Sequence, residues 1–209
     1  MIKVYDENMN PLYNEDKRVV HQKGLWHKVV SGILFNSERK TLYFQTIYPK
    51  DSYTFARPDY IDFAVGGHVD DDETPLVAIV RETREELGLE NIKPQFLGIR
   101  VCRADPAPDY IIREFQYFYG IETSAVLAKM DFAKSDSEVK SVIEVKIDDF
   151  LALLSRMKKE ITANEMLLDK ITRRGEYNEN ISLSAERIIP DYFKDKSILE
   201  KILSLKNFL

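Results

Sequence analysis

The chain is poor in the residues that would mark it as secreted, membrane-bound or nucleic-acid-binding. Its 209 residues include one cysteine, Cys102, so no internal disulfide can form and the sequence suits a reducing compartment. No run of about 18 uncharged apolar residues occurs, which argues against a membrane-spanning helix, and the opening MIKVYDENMN lacks the apolar stretch of a leader. A basic field is missing too. Thirty Lys and Arg stand against 35 Asp and Glu, a formal net charge of −5, which leaves no means of gripping long nucleic acid. Internal repeats and low-complexity tracts are absent. The expectation is a soluble, cytoplasmic, single-domain protein spanning 1–209, with enough apolar residues (44%) for one core and a small anion as its partner.

What is present is concentrated between Gly67 and Leu89, in GHVDDDETPLVAIVRETREELGL. Glu82, Glu85 and Glu86 are spaced by three and four, so on a helix their carboxylates share one face, where a single hard cation could touch all three. Glu82 and Glu86 form a like-charged i,i+4 pair, which costs a few tenths of a kcal/mol on an isolated helix and calls for compensation. Oxygen ligands alone favour Mg²⁺ or Mn²⁺ over zinc. Leu76, Ile79, Val80, Thr83 and Leu87 recur at helical intervals on the opposite side and give the segment a face to bury. Thr74 and Pro75 suit an N-cap and first helical residue, and Gly88 a terminator. An ordinary solvated glutamate face would leave Gly67 and Gly88, which bracket the run, without a reason.

The segment resembles the box of the Nudix hydrolases, G-x5-E-x7-R-E-U-x-E-E-x-G-U with U aliphatic, and every charged and glycine position agrees. The probability of seven such identities arising by chance at one register is on the order of 10⁻⁸. Thr83 is the one departure, at the first U. The resemblance implies hydrolysis of a diphosphate bond in a small nucleoside-diphosphate-linked or other organic diphosphate. Glu82, Glu85 and Glu86 would hold the metal with the carbonyl of Gly67, Arg81 would orient a box glutamate, and Glu73 would fix the loop. With the strands and helices read below, the resemblance implies a mixed α+β sandwich (α/β/α) with the box helix packed against a central sheet and a core at about 25–155.

Outside the box, His21, the run GLWH (24–27) and GGH (66–68) look like the Nudix branch that includes isopentenyl diphosphate isomerase. By that resemblance His21, His27 and His68 are candidate metal ligands. Glu114, alone in the aromatic strand IIREFQYFY, is the first candidate for a further metal-binding or proton-accepting carboxylate; Glu138 is the second. The isomerase uses a cysteine where this chain has Gly66, so isomerisation is the alternative and hydrolysis the main reading. A non-catalytic nucleotide-binding module is the third, disfavoured by the intact box.

Strand-like runs at 27–36 and TLYFQTIY read as a hairpin, followed by 95–104, 113–122 (separated by DPAPDY) and 141–147. Helix-like spacing begins at DDFLALL, with Asp148 or Asp149 near its cap, and recurs in KKEITANEMLLDKITRR and DKSILEKILSLKNFL, which predicts a helical extension over about 156–209. Core completion, substrate closure and a homodimer contact are the roles open to it. Tyr48, Tyr53, Phe55 and Tyr60 could form a lid that stacks on a base. Arg57 and Arg103, with Arg100 and Arg113 behind them, are candidates for a second phosphate or a carboxylate. Cys102, in an alternating run, reads as a small buried hydrophobe.

Overall fold

The structure is a computed structural model that describes residues 1–55 and 59–205. Its elements run β1 (Ile2–Tyr5), β2 (Pro11–Glu15), α1 (Lys17–Lys23), β3 (Trp26–Asn36), β4 (Thr41–Ile47), α2 (Ser52–Phe55), β5 (Asp62–Phe63), β6 (Val65–His68) and α3 (Pro75–Leu87). There follow β7 (Gln95–Ala107), β8 (Tyr110–Glu122), β9 (Val139–Lys146), α4 (Ile147–Leu154), β10 (Glu160–Leu168), β11 (Gly175–Ser184) and α5 (Lys196–Leu205). Among the described residues no helix is long and apolar enough to cross a membrane.

β3 organises the sheet. It pairs in parallel with β8 from His27 to Phe35, while β1, β6 and β4 take its other edge in succession. Beyond β4 the order continues antiparallel through β9 and β10 to β11. Both faces of the central strands are buried, and alternation sends successive residues to opposite cores. Ile33, Phe35, Leu42, Phe44 and Ile143 meet Phe150 of α4 and Ile198 and Ile202 of α5. Val30, Leu34, Tyr43 and Val142 meet Ala78, Ile79 and Leu87 of α3 on the other side. This is the expected α+β architecture with helices on both faces of a mixed sheet.

Local chemistry sets the box helix as its sequence implies. Thr74 is extended and its hydroxyl accepts from the Val77 N–H, Pro75 opens the helix, and Gly88 closes it in the left-handed region at φ 68°. Thr83 is buried, and its hydroxyl donates to the Ile79 carbonyl at 2.7 Å, which satisfies the polar atom that the aliphatic pattern would not carry. The buried face is Ala78, Ile79, Thr83, Glu86 and Leu87; Leu76 and Val80, expected inside, are exposed because the sheet meets α3 only along a narrow stripe.

The C-terminal part departs from the helical expectation. Residues 160–168 and 175–184 are the hairpin β10–β11, and among the described residues of this part α5 alone is an α-helix, preceded by two short 3-10 turns. In ITANEMLL the buried residues Ile161, Ala163, Met166 and Leu168 follow a two-residue period broken by one bulge, and pairing to β9 outweighs the helix propensity of the intervening residues. Two boundaries also differ. β7 and β8 extend into DPAPDY, and α4 is capped at Lys146, with Asp148 and Asp149 in its first turn rather than at the cap.

Gly32 of β3 lies under the box helix. A methyl group there would meet Ile121 at 2.9 Å, Val65 at 3.0 Å and Ile79 at 3.2 Å. Gly32→Ala is therefore expected to cost about 1–3 kcal/mol in urea unfolding, because the surrounding core is packed on both sides. Wild-type stability in that variant would show that α3 is free to move off the sheet.

Candidate active site

The carboxylates of α3 face a cavity of about 600 Å³. Gly67 sits directly against Glu82, and a Cβ there would displace the Glu82 carboxyl group from its place beside the backbone. Glu86 is 5% exposed; it accepts from the Gly66 N–H at 2.8 Å and from Gln45 Nε2 at 3.0 Å. Glu85 is the most open of the three, its side chain 41% exposed.

Arg81 ties this cluster together. Its Nε and Nη2 donate to the two oxygens of Glu73 at 2.8 and 2.9 Å, its Nη1 to Glu82 at 2.8 Å and to Glu85 at 3.0 Å, and its Nη2 also to the His68 carbonyl at 3.0 Å. These contacts occupy all five donors of the fork. The bidentate bond to Glu73 comes first among the causes that hold the guanidinium more basic than usual. Glu73 in turn accepts from the Asp70 N–H, closing the loop before the helix. The fork of Arg81 is thus filled by protein acceptors on the loop and the helix.

Burial dominates the electrostatics. It pushes Glu82 up to about 7 against the pull of Arg81, and it drives Glu86 well above the carboxylate range. Without a cation these groups favour protons; a divalent ion would supply the charge that the protein withholds. The donor set of carboxylates and a nearby backbone turn fits such an ion.

Beside the box lies a second cluster. Position 27 of β3 pairs with 114 of β8, and 114 pairs with 102 of β7, so His27, Glu114 and Cys102 form one row across three strands. His68 at the end of β6 and His21 on α1 complete it, and the ring nitrogens of His21, His27 and His68 lie within 4.8 Å of one another. His21 Nε2 and His68 Nε2 are 2.9 Å apart. His27 is fully buried; its Nδ1 donates to the Leu25 carbonyl at 2.8 Å, leaving Nε2 3.7 Å from Glu114 and without a hydrogen-bond partner among the described residues. An orphaned imidazole nitrogen between two histidines and a carboxylate is a set of donors that could hold a metal ion. Burial lowers all three histidines, His27 to about 4, and lifts Glu114 to about 7.

The remaining candidates are dispersed. Tyr53 and Tyr60 line the cavity, and Tyr53 stacks on Tyr110, which stacks on His21 at 4.2 Å. Phe55 is 68% exposed, and the Tyr48 hydroxyl is tied to the Leu168 carbonyl. Arg57 falls outside the described residues. Arg103 is not on the cavity wall; it lies over Trp26 and pairs with Glu7, because odd-numbered residues of β7 face away from Glu114. Arg100, on the inward face, lines the cavity and bonds to Gln116. Arg113 bonds to Asp105 near the hairpin tip. Glu138 is exposed and paired with Lys50. Cys102 is half-buried and lines the cavity, rather than being a sealed core residue.

Sequence reasoning missed Lys17, Gln45, Lys50 and Asp136. Lys17 lines the cavity and acts electrostatically on Glu82, Glu114 and all three histidines. Its position four residues before His21 was the available signal. Asp136 stood two residues before the glutamate that was singled out.

The NUDIX domain profile matches residues 25–165. An uncharacterized Nudix hydrolase of Clostridium acetobutylicum is 24% identical over 191 residues, which is 90% of this chain and 88% of that protein. Another from Rhodococcus erythropolis is 30% identical over 89 residues, 43% of this chain and 46% of its own length. The crystal structure of DR0079 from Deinococcus radiodurans is similar in fold, with a TM-score of 0.51 and 21% identity over 75% of this chain and 87% of that one.

A carboxyl group whose folded pKa is raised loses stability as pH climbs from its unfolded value through the folded one. For Glu82 that window runs from the ordinary carboxylate value of 4.5 to about 7. In metal-free buffer Glu82→Gln is thus expected to melt higher than wild type, by a margin that widens from about pH 5 to about pH 8. A margin independent of pH in thermal melts would refute the burial argument.

Proposed function

Because the chain belongs to the Nudix hydrolase family and is a pyrophosphohydrolase, we propose that it cleaves, with Mg²⁺ or Mn²⁺, a small nucleoside-diphosphate-linked or other organic diphosphate held in the cavity beside α3. The observation that carries this reading is the convergence of Glu82, Glu85 and Glu86 on a single cavity that Lys17, Lys50 and Arg100 also line. Three carboxylates suit a cation, and the basic side chains suit the phosphates that a cation does not neutralise, Lys17 first among them, because Lys50 is paired with Glu138 and Arg100 with Asp195.

In this reading Glu82, Glu85 and Glu86, with the carbonyl of Gly67, hold the metal. When bound, such an ion draws charge from phosphate oxygens and acidifies a water molecule. Arg81 keeps Glu82 and Glu85 aimed, and Glu73 anchors Arg81. Glu114 and His68, with His21 and His27 behind them, supply a second set of ligands, and Glu114, raised to about 7, is suited to accept a proton near neutrality. Arg57 is retained as a substrate contact. For Arg103 the stacking on Trp26 offers no support, and Arg100 is the better candidate for that role.

Isomerase-like chemistry on isopentenyl diphosphate is the second reading. The row of His27, Glu114 and Cys102 favours it, because it places a thiol beside the cluster that the isomerase-like branch uses. Gly66 weighs against it, since a glycine carries no proton to transfer.

The deciding experiment is a phosphate-release screen with Mg²⁺ and Mn²⁺ over nucleoside diphosphates and triphosphates, nucleotide sugars, dinucleotide coenzymes and isoprenoid diphosphates. Turnover of at least one class is expected, and Glu85→Gln should reduce it about a hundredfold or more, because several kcal/mol of charge stabilisation are lost. Silence across the screen would favour a nucleotide-binding module. Deuterium exchange into isopentenyl diphosphate without phosphate release would favour the isomerase.

A further inference from the structure

Every residue of β4 from Thr41 to Thr46 is buried, so a polar side chain there is costly unless it is bonded. Two of them are bonded in full: the Thr41 hydroxyl donates to Glu144 at 3.3 Å, and the Thr46 and Ser141 hydroxyls lie 2.8 Å apart. Gln45 differs. It is 4% exposed and lines the cavity, and its Nε2 donates to Glu86 Oε1 at 3.0 Å, while its own Oε1 is buried with no hydrogen-bond partner among the described residues. An amide oxygen left in that state costs about 1–3 kcal/mol, which a methionine of similar length would avoid. Packing therefore does not account for an amide at this position; the bond made by its N–H does.

Glu86 stands apart from the other box carboxylates. The Arg81 fork is spent on Glu73, Glu82, Glu85 and the His68 carbonyl, so it does not serve Glu86. Instead the two Glu86 oxygens are held separately, Oε1 by the Gln45 amide on β4 and Oε2 by the Gly66 N–H on β6 at 2.8 Å. Both donors are neutral. A guanidinium in their place would fix the carboxylate and also cancel the charge that attracts a cation, whereas an amide fixes it and leaves the charge available.

We infer that Gln45 is a positioning residue: its amide N–H, together with the Gly66 N–H, holds the Glu86 carboxylate in the orientation in which it takes up the divalent ion. This rests on the metal-binding reading of the box. β4 then serves the site as well as the core, and its register, with Gln45 opposite Asp62 of β5 and Val142 of β9, sets the amide beneath α3.

Titration of the metal-free protein with Mn²⁺, followed by electron paramagnetic resonance, tests it. The site class abolished by Glu85→Gln identifies the box. Gln45→Met keeps the length of the side chain and removes the donor, and it is expected to weaken that class by about tenfold or more, as loss of a hydrogen bond to a metal ligand does, with circular dichroism unchanged. Thr46→Val is the control for the strand itself: its side chain is equally buried but points to the opposite face, and Mn²⁺ affinity is expected to stay at the wild-type value. A Gln45 that only fills β4 would change the melting temperature and leave the affinity untouched. Wild-type affinity in a folded Gln45→Met, or equal weakening in Thr46→Val, overturns the inference and leaves the hydrolase reading intact. Should Gln45→Met fail to fold, Gln45→Asn decides alone, because it keeps an amide in the strand but withdraws the donor from Glu86: weakened binding supports the inference and wild-type binding overturns it. Absence of any Glu85-dependent Mn²⁺ class in the wild type would remove the premise, and the metal reading and the inference would fall together.

Discussion

Arg81 reconciles carboxylates that would otherwise repel one another. The last two turns of α3 carry three glutamates near a helix end whose dipole is also negative, an arrangement that isolated helix energetics disfavours. A planar fork resolves the conflict with five bonds in fixed directions, and lysine could not reproduce them. The same bonds tie the loop to the helix, since Glu73 and the His68 carbonyl belong to the approach and Glu82 and Glu85 to the helix itself. Charge compensation and geometry are thus supplied by one side chain.

Around that anchor the sheet gathers groups from distant parts of the sequence. β3 contributes His27 and Ser31, β8 Glu114 and Gln116, and β7 Arg100 and Cys102, all on the inward side of the pleat. Gln116 links the rows by accepting from Arg100 and donating to Ser31 at 2.8 Å. The C-terminal segment seals the far end: Tyr192 bonds to Asp62 and stacks on Phe63, and Asp195 pairs with Arg100.

Legibility followed the length scale of the interactions. The box helix, its caps and the hairpin β3–β4 depend on neighbours in sequence, and their residues announced them. Glu82, Glu85, Glu86 and the glycine beneath Glu82 were readable for the same reason. β10 was not, because its apolar residues fit a helical spacing nearly as well as a broken two-residue period, and only the pairing with β9 separates them. Arg100 and Arg103 are equal as letters; the pleat that turns one inward and the other onto Trp26 belongs to the sheet. Lys17 and Asp136 matter through space alone. The histidines stood out because the chain has only three, but that they gather within 4.8 Å comes from the register of β3, β6 and β8.

The parallel pairing of β3 with β8 also has a consequence for the order in which the chain is assembled. His27 and Glu114 stand opposite each other across a separation of roughly ninety residues, and contacts this remote in sequence form late because the intervening loop must close first. A ribosome that has released only the box helix exposes a cluster of acidic side chains with half of its surroundings missing. Until the later strands emerge and dock, the nascent chain holds its glutamates without the histidines' carboxylate neighbour.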